Sequence, residues 1–223
     1  MRIFPLLVLP ACLLAQAQER DVKCATGTDC WNILAAGNVR WQTASRLEHP
    51  DQALIRRREF ASLPLRKQKP FAAIVSCSDS RVPPEVVFDR GLGDLFIVRV
   101  AGNVVDGFAL ASIQYAVKVL DVKLVVVLGH QDCGAAKAAC DIGPRLCGTD
   151  VGKPLPEPLL SLVNAILPAK DEVFRRKWPL TLDTVTDANV YLTIPKIKNV
   201  VNEDTVVLGK RYNLDGRVIA LRQ

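Results

Sequence analysis

Three short runs of apolar residues mark the first two thirds of the chain. They cover residues 71–76, 95–98 and 123–128, and each is too short for a helix, which is typical of a buried strand. Between the last two runs, residues 108–120 carry apolar side chains at helical spacing. Buried strands that alternate with helices predict an α/β fold with a central, mainly parallel β-sheet flanked by helices.

The N-terminal part of the chain is predicted to be helical. Residues 30–45 carry apolar side chains at helical spacing, and a second helical segment is expected over residues 53–63, after Pro50,. Together these segments predict an N-terminal helical arm that lies outside the sheet.

The C-terminal part extends the same core. Residues 155–175 have a helical pattern, and apolar residues 205–208 and 217–221 flank a turn at residues 213–216, which predicts a strand pair. Pro195 lies within the last expected helix. We expect it to interrupt that helix, because proline lacks the backbone N–H that a helix interior requires.

The composition excludes several classes of protein. Of 223 residues, 49% are hydrophobic and 23% charged, as in an ordinary globular protein. No stretch reaches the roughly 18 consecutive apolar residues of a spanning helix, so no transmembrane segment is expected. The net charge is +6, and part of the basic excess lies in residues 56–69. Aromatic residues, which often accompany basic residues on nucleic-acid-binding surfaces, make up only 6% of the chain. A basic, solvated face is therefore expected, and nucleic-acid binding is not.

The first residues have the features of an export signal. Arg2 precedes an apolar stretch, and residues 15–17 read Ala-Gln-Ala, a pattern that signal peptidase cleaves,. A lipid anchor on Cys12 is the alternative. The sequence predicts a signal peptide over residues 1–17, a single domain over residues 18–223, and a periplasmic or secreted protein.

The six cysteines outside this leader form two groups. The first group comprises two pairs that each flank a short polar loop: Cys24 with Cys30, and Cys140 with Cys147. In an oxidising compartment each pair can close as a disulfide, and the alternative is that these thiols stay reduced. The second group, Cys77 and Cys133, lies directly after the predicted buried strands.

Metal-binding side chains follow two of these strands. Cys77 and Asp79 come after the first strand, and His130 and Cys133 after the third. Because the carboxyl ends of parallel strands meet at one edge of a sheet, we expect these groups to converge. Two thiolates and an imidazole suit zinc, and Asp79 offers a fourth ligand or a neighbouring carboxylate. The alternative is a pair of buried, inert cysteines beside a core histidine.

The segments around these residues resemble the β-class carbonic anhydrases. The resemblance rests on Cys-Ser-Asp-Ser-Arg-Val-Pro-Pro-Glu at residues 77–85, on residues 91–103 and on Gly-His-Gln-Asp-Cys-Gly-Ala at residues 129–135. Residues 31–41 are similar to the N-terminal helix of that family. The resemblance implies a bacterial zinc lyase that interconverts carbon dioxide and bicarbonate, and the predicted signal peptide makes it an exported member of the family.

The resemblance also implies residue roles. Cys77, His130 and Cys133 are expected to bind one Zn2+ per subunit, with Asp79 and Arg81 as a catalytic dyad. Asp79 either closes the fourth zinc position or is held by Arg81, which leaves that position to water. The expected nucleophile is zinc-bound hydroxide, because zinc lowers the pKa of its water from 15.7 towards about 7.

A substrate pocket and an oligomer follow from the same resemblance. The candidate pocket residues are Val100, Ala101, Gly102, Asn103 and Gly134, and the expected assembly is a homodimer or a dimer-based tetramer. Two alternatives stay open at this point. One is hydrolysis of carbonyl sulfide or carbon disulfide on the same scaffold, and the other is a non-catalytic zinc-binding or redox protein that uses Cys77 and Cys133.

Overall fold

The fold is taken from a computed structural model, which describes residues 24–43, 68–142, 146–147 and 154–223. The strands are β1 (Ala72–Ser76), β2 (Leu95–Arg99), β3 (Leu124–His130), β4 (Val206–Tyr212) and β5 (Val218–Ala220). They form one sheet in the order β2-β1-β3-β4-β5. The first four strands are parallel, and β5 runs antiparallel to β4. The predicted mainly parallel α/β fold is thereby confirmed.

Helices cover both faces of the sheet. They are α1 (Gly27–Thr43), α2 (Pro84–Val87), α3 (Gly107–Lys118), α4 (Gly134–Cys140), α5 (Leu159–Asn164), α6 (Pro168–Arg175) and α7 (Leu182–Lys198), with a 3₁₀ helix at Ala101–Asn103. Within the described ranges, no helix combines the length and the apolar character that crossing a bilayer requires.

The central strand β3 shows why the sequence folds this way. All seven of its residues are buried, which requires cover on both sides. Its side chains alternate between two hydrophobic clusters, one containing Leu34 of α1 and the other containing Ile113 of α3 and Val190 of α7. The continuous apolar run therefore belongs to a strand between two helical layers.

Two details differ from the sequence-based expectation. The predicted helix over residues 155–175 is two helices, and the second begins at Pro168, where a missing N–H costs nothing,. Pro195 lies inside α7 without ending it. Only one further turn follows Pro195, and Ile197 in that turn is fully buried, so packing offsets the loss of one hydrogen bond.

Some expectations fall outside the described residues. The signal peptide over residues 1–17 and the arm helix over residues 53–63 are among them. The first part of the predicted arm is described as α1, which packs against β3 and α2.

Candidate metal centre

The sheet register brings the two halves of the centre together. Ser76 of β1 pairs with Leu128 of β3 in parallel, so Cys77, just after β1, reaches the same edge as His130, the last residue of β3. Cys133 caps the N-terminus of α4. The ligand atoms of Cys77, His130 and Cys133 lie within 4.8 Å of one another, and all three residues are buried.

The donor set fits a zinc ion. His130 Nδ1 lies 2.9 Å from the carbonyl oxygen of Gln131, and because a carbonyl only accepts, Nδ1 carries the hydrogen. Nε2 therefore carries no hydrogen and has a free lone pair. This nitrogen is buried without a hydrogen-bond partner, which is unfavourable unless a ligand binds to it. One such imidazole nitrogen beside two sulfurs is a typical set of zinc ligands.

The two thiols share their protons unequally. A hydrogen bond from Cys133, opposed by burial, lowers the pKa of Cys77, and backbone amides of Asp79 and Gly102 lower it further. The same hydrogen bond, together with burial, raises the pKa of Cys133. One thiolate is thus already favoured, and metal binding has to displace the proton of the second thiol.

Asp79 lies beside the cluster but faces Arg81. The Arg81 side chain donates from Nε to Oδ1 at 3.0 Å and from Nη2 to Oδ2 at 2.8 Å, and its backbone N–H donates to Oδ1 at 2.9 Å. These bonds hold the pKa of Asp79 at about 2, and the bonds from the Arg81 guanidinium contribute most. Oδ2 is 3.9 Å from His130 Nε2, so an ionised carboxylate borders the centre.

Arg81 also links the two motifs. Its Nη2 donates to the Asp132 carbonyl at 3.0 Å, and its Nη1 lies 3.4 Å from the Asp132 carboxylate. Since Asp132 lies between His130 and Cys133, the guanidinium ties the loop after β1 to the loop after β3. Both loops are then fixed relative to Asp79.

The candidate pocket residues lie in two places. Ala101, Gly102 and Asn103 form the 3₁₀ helix, which contacts β1, β3 and α4, and the Gly102 N–H donates to Cys77 Sγ at 3.2 Å. Val100 precedes this helix and is half-buried. Gly134 is the exposed first residue of α4, with open space where a side chain would project.

The sequence reasoning missed the role of two residues near the centre. Arg99 at the end of β2 donates to the carbonyls of Cys77 and Asp79, at 2.9 Å and 2.5 Å. Asn189 of α7 donates to the Gly102 carbonyl at 2.8 Å. A signal was present for Asn189, because a lone amide in the buried stretch of a helix needs a partner.

The other four cysteines in the described part of the chain are bonded in pairs. Disulfides join Cys24 to Cys30 and Cys140 to Cys147, whereas Cys77 and Cys133 are free thiols. The chain therefore separates its structural cysteines from those of the candidate centre.

Curated carbonic anhydrases from other organisms are similar in sequence to about half of this chain. Carbonic anhydrase 2 of Mycobacterium tuberculosis is 51% identical over 109 residues, 49% of this chain and 50% of that protein. The carbonic anhydrase of Mycolicibacterium smegmatis is 52% identical over 108 residues, 48% of this chain and 50% of that protein. The chain thus spans about half the length of the curated relatives it matches.

Solved structures share the fold. A tetrameric β-carbonic anhydrase of Sordaria macrospora matches 93% of this chain and 95% of its own, with a TM-score of 0.59 at 20% identity. The Coccomyxa β-carbonic anhydrase in complex with acetazolamide matches 96% and 86%, with a TM-score of 0.59 at 22% identity.

The sequence model of the carbonic anhydrase family matches residues 72–214, well over half of the 223 residues. This range contains Cys77, His130 and Cys133 and every strand of the sheet except β5. By sequence and by fold, the chain belongs to the β-carbonic anhydrase family.

Proposed function

We propose that this chain catalyses the reversible hydration of carbon dioxide to bicarbonate and a proton, with one zinc ion per chain. The observation that carries the proposal is the position of Asp79, whose two oxygens are bonded to Arg81 beside three buried donors. Three protein ligands with one open position are typical of catalytic zinc, whereas structural zinc sites are closed by four.

The donors have defined tasks in this reaction. Cys77, His130 and Cys133 would hold the zinc, which acts as a Lewis acid and lowers the pKa of water from 15.7 towards about 7. Two thiolates supply more negative charge than histidines would, so we expect the rate to rise at a pH above 7.

Asp79 is proposed to orient the nucleophile. Its ionised carboxylate, next to the centre, accepts the hydrogen of the attacking water oxygen and so directs a lone pair at the carbon of carbon dioxide. Arg81 pairs with both oxygens of Asp79 and keeps this carboxylate ionised. The dyad therefore holds the fourth position open and aligns the reacting atoms.

Stopped-flow measurement of carbon dioxide hydration tests this function. Zinc-loaded protein is assayed at about pH 7 and about pH 9, before and after chelation, since these values bracket the expected pKa. We expect catalysis that rises with pH and disappears on chelation. Absence of catalysis at both values with zinc bound would contradict the proposal, and carbonyl sulfide would be the next substrate.

Thiol titration separates the enzyme from a redox protein. In a zinc enzyme, Cys77 and Cys133 are protected by the metal and react only after chelation. Oxidation of both thiols in air, regardless of metal, would instead favour a redox function.

We also propose that the protein works in an oxidising compartment. The disulfides Cys24–Cys30 and Cys140–Cys147 support this, because disulfides are rare in the reducing cytosol,. Peptide mapping of the protein from fractionated cells, without reductant, tests it. Reduced cysteines in a cytosolic fraction would contradict it.

Self-association into a homodimer is the last part of the proposal. Phe108 of α3 is 88% exposed, and Tyr115 of the same helix and Val119, directly after its end, are also exposed. The neighbouring strand β2 pairs only with β1 among the described strands, which leaves one strand edge free. An apolar helix surface beside a free strand edge suits a second copy of the chain.

A further inference from the structure

Gly102 connects the centre to the C-terminal helix α7. On one side its N–H donates to Cys77 Sγ at 3.2 Å, and on the other its carbonyl accepts from Asn189 Nδ2 at 2.8 Å. Asn189 is only 7% exposed. Two consecutive hydrogen bonds therefore join a buried amide of α7 to a sulfur of the candidate metal centre.

The backbone at Gly102 needs this support. Gly102 has φ +63°, which glycine adopts readily,. The next residue, Asn103, has φ +48°, which costs a residue with a side chain energy and persists only when neighbours enforce it. A Cβ at Gly102 would collide with the side chain of Ile166 and press against that of Ala135. Glycine is thus required at this position, and glycine brings no side chain of its own to fix the turn.

The direction of the Gly102 N–H matters for the sulfur. An N–H···S hydrogen bond withdraws charge from a thiolate, so it lowers the basicity of the sulfur and stabilises its ionised form. If the Gly102 carbonyl loses its partner, the short 3₁₀ helix is free to rotate, and the N–H moves away from Cys77 Sγ. The Cys77 sulfur then donates more charge to a bound metal, but it is held less firmly in position.

We propose that Asn189 is a positioning residue of the metal centre, which sets the hydrogen bond from Gly102 to Cys77 and thereby the metal affinity and the charge donated by the sulfur. This inference rests on the proposed function only in requiring that the centre holds a metal. It assigns to α7 a role in the centre although α7 supplies no metal ligand.

Thr193 provides the matched control. It lies one turn after Asn189 on the same helix, is also buried, and donates from Oγ1 to the Asn189 carbonyl at 2.9 Å. Thr193→Val removes this buried hydrogen bond without changing shape and without touching Gly102. Any general effect of loosening α7 appears in both variants, whereas an effect through Gly102 appears only at Asn189.

The test measures the metal directly in the full-length protein. Zinc affinity is determined by competition with a chromophoric chelator, and the cobalt-substituted protein is examined for its thiolate-to-cobalt charge-transfer band. For Asn189→Leu we expect about 10- to 100-fold weaker zinc binding. The band should move to longer wavelength, because a more basic sulfur gives up charge more readily. Thr193→Val should leave both unchanged.

Equal zinc affinity and an unshifted band in Asn189→Leu and Thr193→Val would overturn the proposal, even if hydration is slower in the former. Asn189→Asp, which keeps the shape but supplies only acceptors when ionised, serves if Asn189→Leu does not fold. In the wild-type protein loaded with 113Cd, scalar coupling between the metal and the Gly102 amide proton is expected, and its absence would also overturn the proposal.

These readouts separate the two proposals. A wild-type protein that shows the cobalt band and the 113Cd coupling but does not hydrate carbon dioxide would refute the proposed function alone. Normal hydration by the wild type with no effect of Asn189→Leu on metal binding would refute the positioning role alone.

Discussion

At the scale of single residues, Asp79 lies between the Arg81 guanidinium and the three candidate metal ligands. The side chain of Asp79 is 17% exposed and that of Arg81 is 44% exposed, so the pair lies at the rim of a buried donor set. Bidentate pairing with arginine fixes both oxygens of a carboxylate in one plane. This geometry favours a carboxylate that orients a reacting group over one that binds the metal.

Replacement of Asp79 tests this assignment. We expect Asp79→Ala to lower the hydration rate by roughly 10²- to 10⁴-fold, the usual contribution of a residue that positions a transferred proton, and to retain zinc. Stopped-flow rates and metal content measure the two effects. Asp132→Asn is the control, because Asp132 also pairs with Arg81, but its side chain is 62% exposed and the distance is 3.4 Å. A near-normal rate in Asp79→Ala would refute the role.

At the scale of secondary-structure elements, α6 depends on one carboxylate. Glu172 pairs with Arg175 at 2.5 Å and with Arg176 at 2.6 Å, and its side chain is 9% exposed. The Arg175 side chain, followed by that of Arg176, holds the pKa of Glu172 at about 2. A carboxyl group whose pKa is lower in the folded state stabilises the fold above its unfolded pKa, near 4.5,.

Glu172→Gln should therefore destabilise the protein in a pH-dependent way. We expect the free energy of unfolding to fall by about 1–2 kcal/mol at pH 7. This loss is smaller than the full pKa shift implies, because Arg175 is largely exposed and solvent screens the ion pair. The difference from wild type should shrink as the pH falls from about 4.5 towards 2. Urea unfolding at several pH values measures it, with Asp171→Asn as an exposed control on the same helix. A difference that does not change with pH would contradict the ion-pair explanation.

Helix α4 is anchored at both ends by different chemistry. Cys133 at its N-terminus belongs to the candidate centre, whereas Cys140 at its C-terminus is joined to Cys147. Lys170 Nζ adds hydrogen bonds to the carbonyls of Ala139 and Ile142, which satisfies backbone groups at the end of the helix. The disulfide therefore shares its stabilising role with a buried lysine.

Removing this disulfide should affect stability and not the metal. A loop with a sequence separation of 7 predicts a loss of roughly 2 kcal/mol in the free energy of unfolding for the double variant Cys140→Ala/Cys147→Ala. Zinc content should stay at the wild-type level, because Cys77 and Cys133 are unchanged. Denaturant unfolding and metal analysis measure these quantities. Loss of zinc in the folded variant would show that the disulfide also supports the centre.

At the scale of the whole molecule, we propose that self-association uses the exposed face of α3. Phe108→Asp should convert a dimer to a monomer, because a charge placed in an apolar contact surface loses its hydration without gaining a partner. Sedimentation velocity measures the assembly state. Leu159→Asp is the control, since Leu159 is an exposed apolar residue of a different helix, α5. Dissociation by Leu159→Asp and not by Phe108→Asp would move the interface away from α3.

The pattern of residues along the chain was enough to predict the strands of the sheet and the three donors at its edge. Continuous apolar runs specify buried parallel strands, and the rule that their carboxyl ends share an edge brings Cys77 to His130. The spacing of His130 and Cys133 on either side of one short loop adds the third donor. These inferences succeed because they depend on local patterns and on one general property of parallel sheets.

The support of these donors depends on how distant parts of the chain pack together in three dimensions. Asn189 and Gly102 are 87 positions apart and neither belongs to the sheet, so neither a local pattern nor the shared edge of parallel strands predicts that they meet. The same holds for Pro195, which is tolerated in α7 because Ile197, in the turn after it, is buried in the core. Such contacts depend on the packing of distant elements, and packing energies outweigh the local preferences that a sequence pattern reports.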